Sequence, residues 1–118
     1  MPDILLIQPP IRDFYLTAKR TIPYGLACIA SQLLREGYSV EILDALASTR
    51  SKKVGLPSEM WRLRDFYSGP DISPFSMFHH FRRFGLGPEA IGARLQNSGA
   101  FLVGISSLFT AYSAEAIW

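Results

Sequence analysis

The feature that most constrains the fold is the apolar segment at residues 3–8 (Asp-Ile-Leu-Leu-Ile-Gln), which stops at Pro9-Pro10. A half-exposed strand alternates apolar and polar residues, whereas a continuous apolar run fits a strand buried on both faces, as in parallel sheets. Helical spacing follows at residues 23–36, and Gly37 is placed as a left-handed C-terminal cap. A second apolar strand at residues 39–44 completes a βαβ unit, whose right-handed crossover predicts two parallel strands.

A third strand is predicted at residues 101–106 (Phe-Leu-Val-Gly-Ile-Ser), preceded by a helix at residues 88–97 with Gly99 as its cap. Residues 111–118 have the pattern of a further helix. These elements predict an α/β fold, with a parallel sheet of about three strands and flanking helices. In the first helix, the residues expected to be buried share one face, which consists of Leu26, Ile29, Ala30, Leu33 and Leu34. Cys28 in the same helix is expected to be a small buried hydrophobic residue.

Residues 48–87 interrupt this pattern with glycines, prolines and large aromatic residues. A connection this long and this aromatic predicts a packed, partly helical insertion rather than a flexible linker. Short helices are expected at residues 58–67 and 74–84, the second with Arg82 and Arg83 facing solvent.

Length and composition limit the class of protein. A chain of 118 residues with 48% hydrophobic residues predicts one domain over residues 1–118. The single cysteine excludes a disulfide framework or a multi-thiolate metal site within these residues. No run of about 18 apolar residues predicts a membrane span, and no basic segment predicts a signal peptide, so we expect a cytoplasmic protein.

The formal net charge of +2 falls short of a nucleic-acid-binding signature. Basic residues are nevertheless concentrated in the irregular part of the chain. They allow a phosphate-contacting surface, although a solvated surface of loops and short helices explains them more simply; they are Arg50, Lys52, Lys53, Arg62, Arg64, Arg82 and Arg83.

No catalytic constellation or metal-ligand spacing is present. Residues 85–90 (Gly-Leu-Gly-Pro-Glu-Ala) fit the glycine pattern of a dinucleotide-binding loop but do not follow a predicted strand. We therefore interpret them as the end of one helix and the start of the next. His79 and His80 would point about 100° apart on a helix, which makes the pair a poor chelate.

Parallel α/β sheets bind ligands beyond the C-terminal ends of their strands. Here those loops are residues 8–10, 44–45 and 106–110, and the last carries three hydroxyl groups directly after a strand. These hydroxyls can bond a polar ligand or cap the next helix, and the spacing alone does not decide between ligand contact and capping.

Four segments in order resemble the N-terminal cobalamin-binding domain of radical S-adenosylmethionine (SAM) enzymes. They are residues 3–10, residues 22–30 (Ile-Pro-Tyr-Gly-Leu-Ala-Cys-Ile-Ala), residues 37–44 (Gly-Tyr-Ser-Val-Glu-Ile-Leu-Asp) and residues 103–110 (Val-Gly-Ile-Ser-Ser-Leu-Phe-Thr). The last segment contains the Ser-x-Leu element of cobalamin domains. Residues 48–87 have no counterpart in the resemblance.

The resemblance implies a flavodoxin-like or Rossmann-like sheet of order 2-1-3, with a corrinoid over its C-terminal edge. Carried over by position, the expected cofactor-binding residues form three groups: Ser106, Leu108 and Thr110 on the nucleotide-tail side, Gln8, Pro9 and Pro10 beneath the corrin, and Tyr24 and Gly25 at the opening of the first helix. The D-x-H-x-x-G signature that supplies a cobalt ligand in many cobalamin domains is absent after the first strand. Many radical SAM members also lack it, so we expect no protein imidazole on cobalt.

The resemblance also implies what these residues do not contain. The 4Fe-4S cluster, its C-x-x-x-C-x-x-C motif and SAM are expected in a separate catalytic domain, which would be the partner of this one. The family's fourth and fifth strands would follow Trp118, so we expect an incomplete domain that is not catalytic alone and holds a corrinoid weakly at best.

The competing interpretation is a corrinoid-free α/β domain for binding or subunit contact. A receiver-like domain is disfavoured, because the first and third strands end in Gln8 and Ser106 rather than in acidic residues. Independently, the apolar edge strand at residues 101–106 predicts a dimer or larger assembly of this chain, formed through this edge or through the terminal helix. We expect no nucleic-acid or membrane partner.

Overall fold

The computed structural model describes residues 1–13, 22–48, 50–55, 81–107 and 116–117. The helices and strands within these ranges are β1 (Ile4–Gln8), β2 (Ile11–Asp13), α1 (Tyr24–Arg35), β3 (Val40–Asp44), β4 (Ser51–Lys53), β5 (Arg82–Phe84), α2 (Pro88–Ser98) and β6 (Leu102–Ile105).

One sheet contains β3, β1 and β6 in that order, with both pairs parallel. Every residue of β1 is buried, which explains why its sequence shows no alternation. The predicted βαβ unit, the third parallel strand and the 2-1-3 order are therefore confirmed. The left-handed caps are confirmed too, since Gly37 has φ +92° and Gly99 has φ +70°.

Helix α1 packs on this sheet through a narrower stripe than predicted. Leu26 and Ala30 are buried against Ile4 and Leu6 of β1. The expected burial of Ile29 and Leu34 is wrong, because these side chains flank the stripe and remain 51% and 56% exposed. Cys28, about 200° around the helix from Leu26, is also exposed rather than buried.

The described ends of the insertion form strands. Strands β2, β5 and β4 make a second, antiparallel sheet in that order. The helix expected at residues 74–84 is wrong at its end, where β5 lies, and its residues 74–80 lie outside the described residues. Arg82 and Arg83 are half-buried rather than turned to solvent. Local spacing could not reveal this, because the ladder pairs Phe84 with Ile11, a residue far away in the chain. The helix expected at residues 58–67 and the one expected at residues 111–118, apart from 116–117, lie outside the described residues.

The second sheet sits at the C-terminal end of β1 and β3. Its apolar residues Ile11 and Phe84 are buried with Leu46, which follows β3. Leu86 donates its backbone N–H to the carbonyl oxygen of Ala45 at 2.9 Å. Gly85 has φ +105°, and a Cβ there would overlap that same carbonyl oxygen and lie 3.2 Å from Cβ of Pro10. Only glycine fits this crossing point.

Within the described ranges, neither helix has the length and apolarity needed to cross a bilayer.

Candidate functional site

The loops after β1 and β6 lie side by side at the C-terminal edge of the parallel sheet. Ile7 pairs with Ile105, and the backbone N–H of Ser106 donates to the carbonyl oxygen of Ile7 at 3.0 Å. From β1 the chain passes through α1 to β3, which pairs with one edge of β1, whereas β6 pairs with the other edge. The space between the loops after β1 and β6, called here the gap between β1 and β6, therefore corresponds to the position at which ligands bind in open α/β sheets.

Two of the predicted site residues follow these strands directly, Pro9 after β1 and Ser106 after β6. Pro9 and Ser106 are each half-buried, so each presents part of its side chain to solvent, and the neighbouring Ser107 is exposed. A rigid apolar rim from Pro9 and hydroxyl groups from Ser106 and Ser107 can contact a ligand that has both apolar and polar surface.

Gln8 has a different environment from the one expected of a corrin floor. Its side chain is only 6% exposed, and its amide nitrogen donates to Oδ1 of Asp44 at 3.1 Å. The same carboxylate oxygen accepts the backbone N–H of Leu46 at 3.0 Å. Gln8 thus ties the end of β1 to the end of β3.

Pro10 is among the most completely buried side chains, lying beside Gly85 beneath the second sheet. Tyr24 is 76% exposed and Gly25 is exposed at the first turn of α1. The N-cap residue of that helix, Pro23, makes no side-chain capping hydrogen bond. Leu108 and Thr110 lie outside the described residues, and of the six predicted residues that the structure describes, Pro9 and Ser106 are the half-buried ones.

A second concave site is lined by basic residues for which the sequence allows either a phosphate-contacting or a solvated surface. It is a cleft of about 420 Å³ between β4, β5 and the start of α2, lined by Arg50, Ser51, Lys52, Arg83, Gly85, Gly87 and Glu89. The pairing of Lys52 with Arg83 across the antiparallel ladder concentrates positive charge there. The sequence carries no local signal of this pairing, because Ser-Lys-Lys at residues 51–53 and Arg-Arg-Phe at residues 82–84 do not alternate polar and apolar residues.

Among the residues that the structure describes, no group of three or more His, Cys, Asp or Glu side chains is placed to hold a metal ion. Comparison of the chain with known proteins gives no match to a family model, to a curated protein or to a solved structure.

Proposed function

We propose that this chain is the cobalamin-binding module of a radical SAM enzyme and works in the cytoplasm. It would position a corrinoid for methyl transfer or radical chemistry that a separate iron–sulfur domain carries out with SAM. A bound corrinoid would supply the cobalt on which such chemistry depends.

The observation that supports this proposal best is the hydrogen bond from Ser106 to Ile7, which places the loops after β1 and β6 together. The strand order β3-β1-β6 makes this gap the position where a flavodoxin-like sheet receives its ligand. The second sheet covers the other half of the edge, above β1 and β3, through Pro10, Ala45 and Leu46. A ligand is thereby directed to the Ser106 side.

The residues present fit such a ligand in part. Pro9 would form an apolar rim against the corrin ring, and Ser106, Leu108 and Thr110 would contact the nucleotide-tail side of the ligand. Gln8 would act through Asp44 by fixing the end of β1, since its amide is already engaged. Tyr24 and Gly25 would line the approach from α1. Residues 8–13 contain no histidine, so this loop would leave the lower face of cobalt without a protein imidazole.

A corrinoid-free subunit-contact domain is the second candidate. The observation in its favour is the apolar surface of β6, where Leu102, Val103 and Ile105 are 53%, 39% and 49% exposed. Such a surface serves association whether or not a corrinoid binds.

A visible-absorption titration of the chain with hydroxocobalamin tests the proposal. We expect saturable but weak binding, because Gln8 and Pro10 are buried and leave few groups to enclose a large ligand. Ser106→Ala should weaken binding about fivefold, the equivalent of one neutral hydrogen bond. The spectrum should show no imidazole ligation by the protein.

Ser98→Ala is the matched control. The Ser98 hydroxyl donates to the carbonyl oxygen of Leu95 within α2, so this variant should bind as the parent chain does. Absence of saturable binding, equal effects of the two variants, or a histidine-ligated spectrum would each contradict the proposal.

A further inference from the structure

The charges that line the cleft between β4, β5 and the start of α2 suit an anion. Its lining carries the cations Arg50, Lys52 and Arg83 and a single carboxylate, Glu89. In the described part of the chain, none of these three basic side chains forms an ion pair. We propose that this cleft binds the phosphate group of a small molecule, at a site that shares no lining residue with the gap between β1 and β6.

The second sheet itself places like charges next to one another. Arg83 of β5 lies directly opposite Arg12 of β2 on one side and Lys52 of β4 on the other. Residues directly opposite in a ladder project from the same face, and like charges in that arrangement destabilise a sheet. The Arg12 guanidinium lies over the ring of Phe81, 6.0 Å from its centroid. Arg83 and Lys52 remain facing the cleft, where an anion would relieve their repulsion.

Arg83 also has an unmet hydrogen-bonding requirement. Its Nε is buried and has no hydrogen-bond partner among the described residues. A buried donor without an acceptor is costly, and a guanidinium matches phosphate oxygens through parallel N–H donors. A phosphate oxygen in the cleft would supply the acceptor that the described protein atoms do not.

The start of α2 adds backbone donors to the same cleft. The helix runs for 11 residues from Pro88, and its N-cap is Gly87, which has no side chain to cap it. The first turn of a helix leaves N–H groups without intrahelical acceptors and carries a partial positive charge. A Cβ on Gly87 would lie 3.4 Å from Oε2 of Glu89 and 3.8 Å from Nη1 of Arg83, so the guanidinium, the helix start and the one carboxylate of the cleft face one region.

The shape of the site favours a small molecule over a nucleic-acid strand. A cleft of about 420 Å³ is in the size range of small-molecule sites, roughly 300–1,000 Å³. The formal net charge of the whole chain, +2, is small for a nucleic-acid-binding surface. A phosphomonoester, dianionic at neutral pH, complements three cations and one carboxylate.

The test uses the whole chain with inorganic phosphate and adenosine 5′-monophosphate as probes, at constant ionic strength. Amide resonances of Gly87 and Glu89 should shift saturably with both probes and should not respond to adenosine. Arg83→Gln should weaken phosphate binding about tenfold or more, as expected for a lost charge-assisted contact. Arg94→Ala is the control: Arg94 lies on the same helix, pairs with Glu41 at 2.9 Å, and its removal should leave the affinity unchanged.

Glu89→Gln keeps the test independent of any folding defect in Arg83→Gln. Removing the one carboxylate of the cleft should strengthen phosphate binding several-fold, which a destabilised protein would not do. The proposal is overturned if phosphate produces no saturable shifts, if Arg83→Gln and Arg94→Ala have equal effects, or if Glu89→Gln does not strengthen binding. Binding of a single-stranded oligonucleotide without binding of either phosphate probe would overturn it as well.

Discussion

The side-chain amide of Gln8 donates a hydrogen bond to Oδ1 of Asp44 at 3.1 Å and so joins the ends of two parallel strands. Gln8 is only 6% exposed, and it is the one buried polar residue found among those the structure describes. The bond links the loop after β1, which borders the candidate site, to the turn after β3, which supports the second sheet.

Loss of this link should destabilise the whole edge. We expect Gln8→Ala to lower the free energy of unfolding by about 1–3 kcal/mol, because the Asp44 carboxylate loses a buried donor. Gln32→Ala is the control, since the bond from Gln32 to Glu36 is exposed, and its cost should stay below about 0.5 kcal/mol. Urea unfolding of the two variants measures the difference, and equal stabilities would contradict the role assigned to Gln8.

A second prediction concerns the crossing of the two sheets at Gly85. Alanine there meets both a left-handed backbone, at φ +105°, and the carbonyl oxygen of Ala45. Gly37 is the matched control, because it has φ +92° with nothing within 4 Å of an added Cβ. We expect Gly37→Ala to cost about 1–2 kcal/mol, the conformational term alone, and Gly85→Ala to cost at least ~3 kcal/mol. Thermal or urea unfolding that ranks the two variants equally would show that the sheets do not meet as described.

A third prediction concerns pH. The pKa of Asp3 is lowered from its ordinary value of 3.8, first by the backbone N–H of Ser39 and then by the Ser39 hydroxyl, with both groups donating to Oδ2. Because the folded pKa is depressed, the stabilisation is fully present above pH 3.8 and is lost as pH falls through the lower folded value.

Ser39→Ala should return the pKa of Asp3 only part of the way, since the backbone donor remains. A carboxyl-detected NMR titration of both proteins checks this. An Asp3 pKa that does not change in the variant would show that the hydroxyl does not act on the carboxylate.

A fourth prediction concerns association through β6. This strand lies at the edge of the described parallel sheet, and Phe101 and Val103 expose 71% and 39% of their surface. An apolar strand with unpaired backbone groups pairs readily with another chain. We expect the protein to self-associate and Val103→Lys to shift it towards the monomer in analytical ultracentrifugation.

Ile29→Lys controls for a general gain in solubility, because Ile29 is 51% exposed on α1 rather than on the sheet edge. It should leave association unchanged. A parent chain that stays monomeric at high concentration, or equal effects of the two lysines, would count against the edge as the contact.

Much of the parallel sheet could be predicted from local sequence because its determinants are local. The apolar run at β1 and the glycines at positions 37 and 99 each report on their own backbone. Exposure of Cys28 and Ile29 was not predictable with the same accuracy, because the width of the buried stripe depends on how closely the helix meets the sheet.

The second sheet could not be predicted from the sequence, because its pairing is not local. Its strands are three residues long, and β5 finds its partners β2 and β4 only after the chain has folded back. This long-range pairing also decides which side of the C-terminal edge is covered. It therefore explains why Pro10, predicted as part of the ligand floor, is buried, whereas Ser106 on the opposite side is not.

The most direct test of the account asks where a corrinoid binds on this chain. Hydroxocobalamin added to the ¹⁵N-labelled protein should shift the amide resonances of Ile7, Ile105, Ser106 and Ser107 in a saturable way, and should leave those of Arg50 and Lys52 unchanged. Shifts confined to the cleft around Arg50 and Lys52, or no saturable shift at the loops after β1 and β6, would contradict the assignment of this edge as the cobalamin site.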